Sequence, residues 1–67
     1  MKAYEAVKRY IDGHGIKQTY VAEKSGIKAK TLNAMLNGHR TMYADDLSAI
    51  CIALGISVDS IVRECHG

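Results

Sequence analysis

An all-α fold is predicted by three observations. Apolar residues recur at helical spacings of three and four in successive short stretches. The chain has no proline, and five of its six glycines fall singly between those stretches, as helix stops do. The four tyrosines are the only aromatics, and the β-rich runs and dense turn signals of a small barrel or sandwich are missing. With 67 residues there is room for one core. A chain this size buries only ~60% of the surface its unfolded form exposes. Hydrophobic residues at 48% suffice for that core and are too many for a disordered tail. One domain spanning residues 1–67 is expected.

Five short helices account for the pattern. The first runs from about Lys2 to Asp12, with Tyr4, Val7 and Ile11 on one stripe. Gly13 is expected to supply the left-handed residue after it, Gly15 to continue the break, and Ile16 to anchor the turn. The second spans Lys17 to Ser25, turns Val21 and Ala22 inward and ends at Gly26. At this length it needs tertiary support. The third spans Lys28 to about Leu36, with Leu32, Met35 and Leu36 inward and Asn37-Gly38 as a stop.

A basic loop, His39-Arg40-Thr41-Met42, leads to the fourth helix. That helix begins near residues 41–43 and ends at Leu54, closed by Gly55. Asp45 and Asp46 sit in its first turn, where carboxylates meet the positive helix end. Leu47, Ile50, Cys51 and Leu54 make its apolar stripe, and Tyr43 reads as a partly buried anchor in preference to a donor of its hydroxyl to a phosphate. Ser57 caps a fifth helix carrying Val58, Ile61 and Val62, and residues 64–67 are expected to fray.

The net charge of +2 conceals a split. Residues 1–40 hold eight basic side chains against three acidic, a surplus of five. Residues 41–67 hold one basic against four acidic, a deficit of three. Such polarity suggests one face for an anion. The apolar runs fall far short of the ~18 residues of a membrane span, and the N-terminus lacks the apolar stretch of a leader. Two cysteines make no disulfide framework, so a reducing, cytoplasmic setting is expected. Cys51 reads as a packed thiol. Cys51, Cys65, His14 and His66 fit no zinc template, so no metal and no cofactor is expected. No Ser-His-Asp grouping, phosphate loop or carboxylate pair points to catalysis.

The informative constellation joins helices two and three through Gly26 and Ile27 alone. Counting from Gln18 as position one, Ala22 is fifth, Gly26 ninth, Ile27 tenth, Leu32 fifteenth and Met35 eighteenth. The fifth site must be small where the helices cross. The ninth needs positive φ for a tight turn. The tenth, fifteenth and eighteenth must be apolar to lock the pair. This is the helix-turn-helix, over about residues 17–37, with its second helix free to enter a DNA major groove.

Gln18, Val21-Ala22, Gly26-Ile27, Thr31-Leu32, Asn37-Gly38, Leu47, Ile50 and the run from Leu54 to Asp59 resemble the Xre family. These are the lambda-repressor-like helix-turn-helix domains that include phage repressors and Cro proteins. The resemblance covers about Tyr4 to Val62. It implies a five-helix bundle that binds double-stranded operator DNA to regulate transcription, usually as a homodimer. At this length little beyond the reading domain is expected. Base-reading positions then fall on Lys28, Ala29, Lys30, Asn33 and Ala34. Lysine can donate to guanine O6 and N7, asparagine can pair with adenine N6 and N7, and alanine can touch a thymine methyl. Phosphate contacts fall on Lys17, Gln18, Thr31, Asn37, His39 and Arg40. A protein-interaction module of the antitoxin or anti-repressor kind, with a protein partner, is the alternative the same fold allows.

The chain departs from the family's pattern in three places. Lys17 and Lys28 stand where a Ser or Thr cap is frequent, and lysine can neither accept the free N–H groups nor suit the helix dipole. Ile11 and Leu36 occupy sites that often hold a partly buried Arg–Glu pair, so both charges are missing together and the two side chains are expected to touch. Met42 replaces a frequent proline, which leaves its loop less stiff.

Overall fold

The computed structural model describes residues 2–66, without the His66 side chain. Five helices follow in order: α1 (Ala3–Gly13), α2 (Gln18–Ser25), α3 (Ala29–Leu36), α4 (Ala44–Leu54) and α5 (Val58–His66). No strand occurs among the described residues. α3 packs on α1 and α2, α4 on α2, and α5 on α1 and α4. The pair α2 and α3 therefore packs on α1 and α4, and α5 packs on those two in turn.

The apolar stripes converge as their spacing requires. Val7, Ile11, Val21, Ala22, Leu32, Met35, Leu36, Ile50, Cys51 and Ile61 are all buried in one cluster. Ala6 joins it with no exposed surface, a residue the stripe through Tyr4, Val7 and Ile11 does not include. Ile16, Ile27, Met42, Leu47 and Leu54 pack around its edge. Ile11 and Leu36 are each 1% exposed, on helices that pack together. Burial pushes the Cys51 thiol above its ordinary pKa by desolvation, so it stays a neutral core group.

Helix ends explain most of the connections. The α3 terminus closes by paired bonds: the His39 N–H donates to the Ala34 carbonyl at 2.8 Å and the Gly38 N–H to that of Met35 at 3.1 Å. This is a Schellman motif with Gly38 in the left-handed position. Gly38 is favoured by its backbone, and a side chain there would also push the end of Tyr4 aside. The Gly38 φ is +77°, and a Cβ there would lie 2.8 Å from Tyr4 Oη and 3.0 Å from Tyr4 Cζ. Tyr4 of α1 thus lies directly over the turn that follows α3.

The same paired bonds close α4, from Ile56 to Cys51 and from Gly55 to Ile52. They also close α1, from Ile16 to Ile11 and from Gly15 to Asp12. At α1 the left-handed residue is Gly15, with φ +64°, and not Gly13, which ends the helix itself. The sequence Gly-His-Gly allowed either, and the backbone bond from Ile16 selects the second. His14 between them stacks on Tyr10 with ring centroids 4.0 Å apart.

Helix starts differ in how they are satisfied. Ser57 caps α5, accepting from the Ser60 N–H at 3.3 Å. At α1 and α4 an acid three residues in reaches back: Glu5 accepts from the Lys2 N–H at 2.9 Å and Asp46 from the Tyr43 N–H at 3.1 Å. Tyr43 is therefore the flanking residue of α4 and is 70% exposed, which corrects its reading as a partly buried anchor. Lys17 and Lys28 flank α2 and α3 with extended backbone and supply no side-chain cap. α5 runs through Glu64 and Cys65, so the expected fraying does not begin there. Gly67 and the His66 side chain lie outside the described residues.

Candidate nucleic-acid interface

The α2–α3 connection behaves as its spacing requires. Gly26 takes φ +76°, and its N–H donates to the Ala22 carbonyl at 3.0 Å. The turn then passes directly into Lys28 and α3. Because Leu32, Met35 and Leu36 are buried, the opposite side of α3 must face outward. Lys28, Ala29, Lys30 and Asn33 are exposed there, while Thr31 and Ala34 are half-buried at its margins. The motif thus determines which α3 side chains are offered to a ligand.

Gln18 is the first residue of α2 and lies half-buried against this face. Asn33 Nδ2 donates to Gln18 Oε1 at 3.1 Å, so the start of α2 and the middle of α3 are directly joined. Asn37, at the end of α3, donates through Nδ2 to Asn33 Oδ1 at 3.1 Å. Lys17, Asn37, His39 and Arg40 are exposed. His39 and Arg40 line an open groove with Lys2, Tyr4, Gly38 and Met42. Two residues outside the sequence expectation thereby enter the surface. Lys2 adds a second basic side chain, with Arg40, to this groove. Lys8 of α1 donates from Nζ to Asn37 Oδ1 at 3.0 Å, across a separation of 29 residues. No local pattern announces so distant a bond.

The electrostatics favour an anion. The unfilled N–H groups at the starts of α2 and α3 carry the positive ends of two helix dipoles, each beside a lysine. Nothing acidic lies in the first turn of either helix. Of the acids, Glu23 lies in the second half of α2, Asp45 and Asp46 begin α4, and Asp59 on α5 is held by Arg63 at 2.8 Å. An exposed pair of that kind adds little stability. Such a surface can hold phosphates along its edges and present amide and ammonium donors to base edges between them.

Among the described residues no three His, Cys, Asp or Glu side chains gather as metal ligands. Among the described residues no helix is long and apolar enough to cross a membrane.

No curated protein and no solved structure matches the chain significantly. A family model does match it, over residues 7–63, and its description is a Cro/C1-type HTH DNA-binding domain. The matched span runs from Val7 on α1 into α5 and includes the whole α2–α3 unit. The chain therefore belongs to the Cro/C1-type helix-turn-helix DNA-binding domains, the Xre and lambda-repressor-like family that its motif resembles.

Proposed function

We propose that this DNA-binding protein is a sequence-specific transcriptional regulator of the repressor or Cro-like kind, reading the major groove with α3. The observation that carries the reading is the outward face of α3, where Lys28, Lys30 and Asn33 stand exposed opposite three fully buried core residues. Lys28, Ala29, Lys30, Asn33 and Ala34 are the base-reading set. Lys17, Gln18, Thr31, Asn37, His39 and Arg40 hold phosphates on either side.

A homodimer would place two α3 helices in successive major grooves, ~34 Å apart. Val58 and Val62, four residues apart on α5, are 38% and 42% exposed, which favours this helix as a contact between copies. The same apolar exposure would serve an antitoxin or anti-repressor partner. The basic reading face favours DNA as the main ligand. The matched family also supports a binding protein in place of an enzyme.

A gel shift with the gene's own upstream DNA at two salt concentrations tests the proposal. Specific binding that weakens steeply with salt is the expected outcome. No binding to any DNA, with a stable protein complex instead, would favour the alternative. Lys30→Ala is expected to relax preference at one base pair, at a cost of about 1–3 kcal/mol on the preferred sequence. Arg40→Ala should weaken all sequences about equally and lower the salt slope by about one.

The two lysines without caps carry a second expectation. Restoring a missing cap is worth about 0.5–2 kcal/mol at each helix. In a chain this size each kcal/mol is about 4–8 °C of melting temperature. The double variant Lys17→Ser, Lys28→Ser is expected to melt higher and bind DNA less tightly. A higher melting temperature with unchanged affinity would show that these lysines trade nothing for DNA.

A further inference from the structure

Four side chains from three helices form one hydrogen-bonded relay across the reading face. Lys8 Nζ donates to Asn37 Oδ1 at 3.0 Å. Asn37 Nδ2 donates to the Asn33 carbonyl oxygen at 2.9 Å and to Asn33 Oδ1 at 3.1 Å. Asn33 Nδ2 donates to Gln18 Oε1 at 3.1 Å. A side-chain amide has a donor end and an acceptor end, and either can be turned toward a neighbour. At Asn37 that choice is forced. An ammonium only donates and a carbonyl only accepts, so Asn37 shows its oxygen to Lys8 and its NH2 to Asn33. Asn33 then receives with Oδ1, which turns its own NH2 to Gln18. Gln18 receives with Oε1 and keeps its Nε2 donors for whatever lies beyond.

We infer that Asn37 is a positioning residue for sequence reading: through this relay it sets which way round Asn33 presents its amide. The inference rests on the proposal that α3 contacts bases. Each amide oxygen has a second lone pair and each NH2 a second hydrogen. Asn33 therefore retains one acceptor and one donor, the pair that matches N6 and N7 of adenine. With the backbone held, reversing the amide exchanges those positions and mismatches that edge. The same polarity leaves Gln18 offering a donor at the start of α2, which suits a phosphate oxygen. A reversed relay would offer it an oxygen.

Two variants that each lower the net charge by one unit separate this role from a plain phosphate contact. Asn37→Asp keeps the shape and an acceptor for Lys8 but has no donor, so Asn33 must turn its NH2 toward position 37 and the relay reverses. Lys8→Met removes one anchor, and the Asn33 carbonyl still holds Asn37. Each variant and the wild type would be used to enrich duplexes from a randomised pool. Wild type and Lys8→Met are expected to enrich the same sequence. Asn37→Asp should lose on the order of tenfold preference at one base pair while keeping the others. Asn33→Ala should lose preference at that same pair, with nothing further lost when Asn37→Asp is added.

A uniform loss of affinity in Asn37→Asp, with the wild-type sequence still enriched, would overturn the inference. A second readout needs no DNA. Side-chain amide resonances of Asn33 and Gln18 should move in Asn37→Asp far more than in Lys8→Met, and unmoved resonances would overturn the relay. If the wild type enriches no sequence, the base-reading proposal fails and the inference with it, while the resonances still judge the relay by itself.

Discussion

Leu32→Ala is expected to destabilise the protein by roughly 2–5 kcal/mol, the range for truncating a buried leucine. The side chain has no exposed surface and belongs to the core side of α3. A chain of this length has only about 3–10 kcal/mol to lose at ordinary per-residue stability. The variant should therefore be largely unfolded on warming, and its DNA binding should fall with the folded fraction. Urea denaturation followed by circular dichroism measures the loss. Ile52→Ala is the matched control, because Ile52 is 77% exposed. It should shift stability by no more than about 0.5 kcal/mol. Equal effects at the two sites would mean that α3 does not pack as described.

Ile11→Arg alone should cost a similar amount, about 3–5 kcal/mol, for a different reason. It strands a charge in a site that is 1% exposed. Leu36→Glu should do the same from the other helix. Introduced together, the two charges can pair across α1 and α3, and the double variant should recover a substantial part of either loss. A double-mutant cycle by chemical denaturation gives the coupling, with sulfate present to keep the single variants folded. A double variant as unstable as the two losses combined would show that these side chains do not adjoin. The present apolar pair avoids the cost of burying either ion.

The elements of this fold were legible because each leaves a local mark. Leu32, Met35 and Leu36 have helical spacing, Ser57 precedes an apolar stripe, and Gly26 stands where two helices must turn sharply. The outward face of α3 followed from the same residues, since burying one side exposes the other. What escaped was non-local or ambiguous. Gly13 and Gly15 are equally able to close α1, and only the Ile16 to Ile11 bond distinguishes them. Tyr43 carries a ring that suits a core and a hydroxyl that suits a surface, and its place beside the first turn of α4 decided for the surface. The Lys8–Asn37 bond and the packing of Tyr4 over Gly38 join residues about thirty positions apart. Each of those partners also has an ordinary local reading, as a solvated lysine, a helix stop or a stripe residue. The outward face of α3 was thus visible as a set of residues but not as a hydrogen-bonded assembly.

The brevity of α2 and α3 has a consequence for regulation. Each has eight residues, too few to hold helical form apart from the rest of the bundle. The DNA-binding surface therefore exists only in the fraction of molecules that is folded, and apparent affinity is intrinsic affinity scaled by that fraction. By the same linkage DNA stabilises the fold, by an amount that grows as the logarithm of its concentration over the dissociation constant. At the few kcal/mol usual for a chain of this length, occupancy of DNA and resistance to proteolysis are expected to rise together.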